Sequence, residues 1–193
     1  MLQPPHLPKS ATCSAGSASI AAALLSATGA SRLPSLTSKR SPPNLTALLS
    51  TKNQVQLAEE REVWLYVAID IDSKVVLHAR LSEHRGTDPA TSFLRELKEK
   101  HRVSDAEFLV DGMGYLTALA KTDLDGHLDY TDRNIVEKLF QTFTMRIARF
   151  HETWNGSQPS AERWLTAYAY YYNHLRSHQA LDNQPPIEAA GLS

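Results

Sequence analysis

Residues 108–150 read FLVDGMGYLTALAKTDLDGHLDYTDRNIVEKLFQTFTMRIARF, and this stretch decides the fold. Its apolar opening, Glu107–Val110, has the pattern of a short strand that ends at Asp111. Gly112 and Gly114 follow and are expected to let the backbone turn sharply, leaving the carboxylate uncrowded. A short helix is expected over Tyr115–Leu124, broken by Gly126, and a further strand over 127–130. Thr131 or Asp132 then caps a long helix, Arg133–Phe150. Its buried stripe is Ile135, Leu139, Phe143, Ile147 and Phe150, at helical spacing, while Glu137 and Gln141 share a different face. An acid at a strand end and an acid on a rigid helix are hard oxygen donors. Brought together by a fold, they suit Mg²⁺ or Mn²⁺ better than zinc. Spacing alone leaves plainer alternatives open. Asp before Gly is a common turn residue, and Glu137 can lie on a wet face beside Arg133 or Lys138.

Working outward, Glu62–Asp70, EVWLYVAID, alternates apolar and β-branched residues and is expected to be a strand. A turn at Asp72-Ser73-Lys74 joins it to a second strand, Lys74–Leu81, as a hairpin. After a loop at 85–87, Asp88 is expected to cap a helix to Lys100, with Pro89 at its first position. Downstream, 151–158 is a connector and Ala161–Leu181 a helix crowded with Trp164, Tyr168, Tyr170, Tyr171 and Tyr172. Helical spacing favours core or oligomer contact for these rings over a base-stacking platform. His174 and His178 stand four apart, as zinc ligands on a helix can, but no HExxH motif accompanies them. GxSxG, P-loop and GxGxxG motifs are absent from the sequence. The element order implies one mixed α/β domain of about 130 residues.

The chain has 193 residues, 42% apolar and 21% charged, which bounds it to one ordinary core or two small ones. Its net charge of −1 hides a split. Residues 1–58 carry five Lys or Arg and no acid, whereas 59–193 carry 15 basic against 21 acidic residues, a net −6. An acidic body excludes simple DNA coating, so any nucleic-acid contact must be a local basic patch. The single cysteine, Cys13, excludes an intrachain disulfide and fits a reducing cytoplasm. No apolar run approaches the ~20 residues of a membrane span. Residues 1–54 are biased toward Ser, Ala, Leu, Thr and Pro and are expected to be disordered. Ser17–Ala30, SASIAAALLSATGA, loosely resembles an export signal, a reading the proline content disfavours.

Five blocks in order carry a family resemblance: WLYVAID (64–70), FLRELKEKH (93–101), FLVDGMGYL (108–116), DRNIVEKLFQTFTMRI (132–147) and RFHETWNGSQPSAERWLTAYAYYYNHLRSHQAL (149–181). Together they resemble an archaeal branch of the DDE transposases, the insertion-sequence six family, over about 55–190. The tail Tyr172-Asn173, Arg176, His178, Leu181 and Pro186 is similar to the pattern that closes many integrase cores. The resemblance implies an RNase H-like α/β fold, a mixed sheet flanked by helices. It also implies three acids holding two Mg²⁺ or Mn²⁺ ions, DNA as partner and substrate, and a homo-oligomer. By that resemblance Asp111 is the second acid and Glu137 the third, and Lys138, Arg146 and Arg149 are candidates for DNA phosphates.

The chain departs from the family at its first acid, which lies there in a Val-Asp-Glu-Thr segment. Leu49-Ser50-Thr51-Lys52 stands in its place, and no acid precedes Glu59. Asp70 is the best substitute by sequence and a poor one by expected geometry, because it belongs to the next strand. The family's end-reading helix-turn-helix has no counterpart in 1–50, and Thr144 stands where a basic residue often follows the third acid. Leu-Ser-Thr-Lys can be encoded CTG-TCG-ACG-AAA, which from its third base reads Val-Asp-Glu. Residues 1 to about 53 are therefore expected to come from a shifted frame, and cutting activity to be lost or impaired. The alternative is a non-catalytic remnant that binds DNA or dimerises.

Overall fold

The computed structural model describes residues 45–57, 62–129, 133–148, 154 and 156–192. The side chains of 50–56, 133, 135, 136, 143, 144 and 146–148 are outside that description. So are the expected disorder and export signal of the first 44 residues, the caps at 131 and 132, and Arg149 and Phe150.

Five strands form one sheet: β1 (Thr46–Gln56), β2 (Glu62–Asp70), β3 (Val76–Ser82), β4 (Glu107–Val110) and β5 (Gly126–Leu128). The helices are α1 (Thr87–Lys100), α2 (Met113–Ala120), α3 (Arg133–Ala148), α4 (Gln158–His174) and the short α5 (Pro186–Ala189). The strand order is β3-β2-β1-β4-β5. β1 pairs antiparallel with β2 and parallel with β4, β3 is antiparallel to β2, and β5 is parallel to β4. The sheet is therefore mixed, with helices on both faces. This is the RNase H-like architecture expected from the sequence.

Strand alternation divides the core in two. Leu48, Leu65, Val67 and Leu109 pack on one face with Leu139 and Phe140 of α3 and Leu165 of α4. Leu49, Tyr66, Ala68, Phe108 and Val110 pack on the other with Phe93 and Leu97 of α1 and Tyr115 of α2. Covering on both sides explains why β2 is an almost unbroken apolar run. Tyr168 and Tyr172 are buried in the first core and Trp164, Tyr170 and Tyr171 pack against it, so the aromatic helix is core.

Several boundaries differ from the sequence reading. β1 runs across the division placed at 54/55, so sheet-forming chain begins nine residues earlier, at Thr46 rather than 55. Only its first part is apolar, and its polar second half hides it from a periodicity argument. The cap of α1 is Gly86, at φ 130°, and Asp88 sits instead in the first turn, where it pairs with Lys121 at 3.3 Å. Gly112 is extended, at φ −162°, and serves no sharp turn. α2 stops at Ala120 because the Thr122 hydroxyl turns back to the Ala118 carbonyl at 2.9 Å and Asp123 enters the left-handed region at φ 52°. Gly126 is needed where β5 meets β4, since a Cβ there would lie 2.3 Å from the Phe108 carbonyl oxygen.

α4 ends at His174 instead of continuing to Leu181, which belongs to a separate 3₁₀ turn, Gln179–Leu181. Asn173, fully buried, accepts the Val76 N–H at 2.9 Å and donates to the Val76 carbonyl at 2.8 Å. One amide thus does for edge strand β3 what a neighbouring strand would do. The chain then doubles back, placing Arg176 at 5.6 Å and His178 at 4.5 Å from the Tyr172 ring.

Asn173→Leu leaves both Val76 groups buried without partners and is expected to cost about 1–3 kcal/mol for each group, read as a lower urea midpoint. A pH dependence follows from two buried histidines. Burial pushes His78 and His101 below their ordinary 6.5, although His78 bonds Glu96 at 3.1 Å and His101 bonds the Leu77 carbonyl at 2.9 Å. The unfolded chain therefore binds protons first on acidification. Stability is full above pH 6.5 and falls as pH drops through the lowered folded values. Urea titrations across that range should show the slope, and His101→Gln should flatten it.

Candidate active site

The register of β1 against β4 organises the site. Leu49 and Val110 are partners in the parallel ladder, so Ser50 follows on one strand as Asp111 follows on the next. Adjacent strands are about 4.8 Å apart, which sets the Ser50 and Asp111 backbones side by side. Asp111 is half-buried, just past the end of β4. Glu137 is half-buried on α3, which packs against β1. Both expected acids therefore stand on elements flanking the central strand. Lys138 is exposed on α3, Arg146 lies further along the same helix with its side chain outside the description, and Arg149 is outside the described residues.

Asp70 does not reach this place. It pairs with Ala47 near the start of β1, three residues before Ser50, or about 10 Å along the strand. Its Oδ2 is taken up by the Ser73 N–H at 3.0 Å and by the Ser73 hydroxyl. It ties the β2–β3 turn, where Lys74 adopts a left-handed φ of 62°. The two histidines at zinc-like spacing also separate. His174 stacks on Tyr170 at 4.3 Å, and His178 lies beyond the helix end against Tyr172.

Asp111 and Glu137 fit a hard divalent cation in kind, because Mg²⁺ takes one or two carboxylates and leaves the remaining positions to water and substrate phosphate. Among the described residues no group of three or more His, Cys, Asp or Glu side chains converges as a metal site. Ser50, at the position level with Asp111, supplies no carboxylate.

A cleft of about 200 Å³, open to solvent, adjoins Asp111 and was not foreseen from the sequence. Trp64 and Tyr66 reach it from β2, Arg85 and Gly86 from the loop before α1, and Gly112, Gly114 and Tyr115 from the start of α2. These segments are distant along the chain and share no motif, so only folding assembles them.

No family model and no curated protein matches the sequence. Solved structures do share its fold. A chain of the simian T-cell lymphotropic virus intasome, in complex with PP2A regulatory subunit B56 gamma, aligns with a TM-score of 0.56 at 13% identity, covering 80% of this chain and 56% of that one. The catalytic core of BIV integrase aligns at 0.54 and 12% identity, covering 76% and 93%. The catalytic core of HTLV-2 integrase, solved with magnesium, aligns at 0.52 and 9% identity, covering 77% and 97%. The chain thus spans little more than half of the intasome chain but nearly all of each isolated core. Its fold is that of the integrase catalytic cores, RNase H-like. Among the described residues no helix is long and apolar enough to cross a membrane.

Asp70→Ala is expected to lower stability by about 1–3 kcal/mol through loss of the turn bonds, and to leave any Mn²⁺ binding, followed by isothermal titration, unchanged. Loss of Mn²⁺ binding in a folded variant would make Asp70 a ligand rather than a turn residue.

Proposed function

We propose that this chain is the core of a DDE transposase of the insertion-sequence six family, archaeal branch, whose strand cutting is impaired. Its substrate is DNA, as element ends and target. Asp111 and Glu137 would hold Mg²⁺ or Mn²⁺, which when bound activates a water or 3′-hydroxyl and stabilises the leaving oxygen of a phosphodiester. A helix and a strand end keep the two carboxylates rigid, as positioning of the reacting groups requires. Lys138, Arg146 and Arg149 lie on α3 or just beyond it and supply charge for phosphates against an otherwise acidic body. The HTLV-2 core has been solved in both trimeric and dimeric forms, in keeping with a homo-oligomer here.

One observation carries the reading of impairment: the residue level with Asp111 on the central strand is Ser50. In the shifted-frame account, the acid lost from the Val-Asp-Glu-Thr segment belongs at position 50 or its neighbour. An aspartate at 50 would continue the alternation that turns Leu48 toward α3, the helix bearing Glu137. The same observation favours a second reading, a remnant that binds DNA or dimerises without cutting it.

Nicking of matched element ends with Mg²⁺ or Mn²⁺ separates the two. The unaltered chain should cut at background level. Ser50→Asp should raise cutting at least about a hundredfold, because one carboxylate at such a site is worth several kcal/mol. Glu137→Gln should return it to background. Cutting by the unaltered chain that Glu137→Gln abolishes would show that two acids suffice. Failure of Ser50→Asp to cut, with DNA binding retained, would favour the remnant.

A further inference from the structure

The cleft beside Asp111 carries chemistry that the two acids do not use. Arg85 lies over Trp64 with its guanidinium carbon 5.0 Å from the ring centroid. Arg85 is exposed and Trp64 half-buried, so this stacked cation–aromatic pair meets solvent at the cleft wall. The floor is Tyr66 and Tyr115, edge to face at 6.0 Å and both buried. The Tyr66 hydroxyl accepts the Gly86 N–H at 3.2 Å and donates to the His84 carbonyl at 3.4 Å, so β2 fixes the loop that presents Arg85. Across the cleft, a Cβ on Gly112 would meet nothing within 4 Å, which leaves real room beside Asp111.

These features select a ligand. A guanidinium stacked on an indole offers a flat, positively charged surface to another flat π-system. Arg85 also draws an attached phosphate, and α1 begins at Thr87 with no side chain capping its positive end. A stacked base pair inside a duplex exposes no base plane, whereas an unstacked nucleotide does. Resting on the DNA-processing reading above, we infer that this cleft holds one unstacked nucleotide of the strand whose phosphodiester lies at Asp111. Its base stacks on the Trp64–Arg85 pair. Stacking accepts any base, so the subsite fixes strand position without reading sequence.

The test uses the full chain without divalent metal, so that nothing is cut. Two DNAs are compared by fluorescence anisotropy: a blunt duplex, and the same duplex with a short unpaired 3′ tail carrying 2-aminopurine. The unaltered chain should prefer the tailed duplex and quench the 2-aminopurine. Arg85→Ala, Trp64→Leu and Gly112→Leu, which fills the cleft, should each reduce that preference about tenfold and relieve the quench, with blunt-duplex binding little changed. Arg85 is exposed and Gly112 faces open space, so two of the three variants put no demand on the core. Tail preference and quenching that survive all three variants would overturn the subsite while leaving DNA binding in place. Failure of the unaltered chain to bind either DNA would overturn both.

Discussion

The parallel pairing of β1 with β4 is the constraint on which the rest depends. β1 occupies the middle of the sheet and sends side chains into both cores. A slip of one residue would exchange Leu48 and Leu49 between the α3–α4 face and the α1–α2 face. Both faces are filled to near-complete burial, so the register is held from two sides at once. Everything functional inherits it. The residue level with Asp111 is a consequence of how Leu49 meets Val110, not of any local feature of the acid itself.

The C-terminal tail shows how one pattern can serve packing instead of chemistry. Tyr172, Asn173, Arg176 and His178 belong to the tail whose pattern is similar to the close of many integrase cores. In the fold Asn173 closes the exposed edge of β3, and Arg176 and His178 gather on the Tyr172 ring. Burial pushes the Tyr172 hydroxyl up to about 12, which keeps it neutral within that cluster. Each of these residues anchors the return of the chain after α4. That similar architecture persists in integrase cores at 9–13% identity fits this picture, since layer packing and strand order tolerate wide substitution.

Much of the scaffold was legible because its elements are strongly periodic. EVWLYVAID reads as a strand and occupies Glu62–Asp70, and the helix after the hairpin ends at Lys100 as its pattern indicates but begins at Thr87, two residues before Pro89. β1 was not legible: its second half, STKNQVQ, is polar, and it adjoins a compositionally biased segment. A central strand is recognised by what lies on either side of it, and those neighbours are supplied by chain up to about sixty residues away. Helix ends failed for a related reason. α4 stops where Asn173 is drawn to β3, a tertiary bond that local propensity does not contain.

The sequence by itself determined the mixed α/β class, the strand-end position of Asp111 and the helical position of Glu137, because periods of two and 3.6 residues are written locally. Only the tertiary structure decided that Ser50 stands level with Asp111, that Asp70 is committed to a turn, and that Trp64, Arg85 and Tyr115 border one cleft. Register, burial and cleft walls depend on pairs of residues far apart along the chain. Such pairs are chosen by how two cores fill together, which no single stretch of sequence encodes.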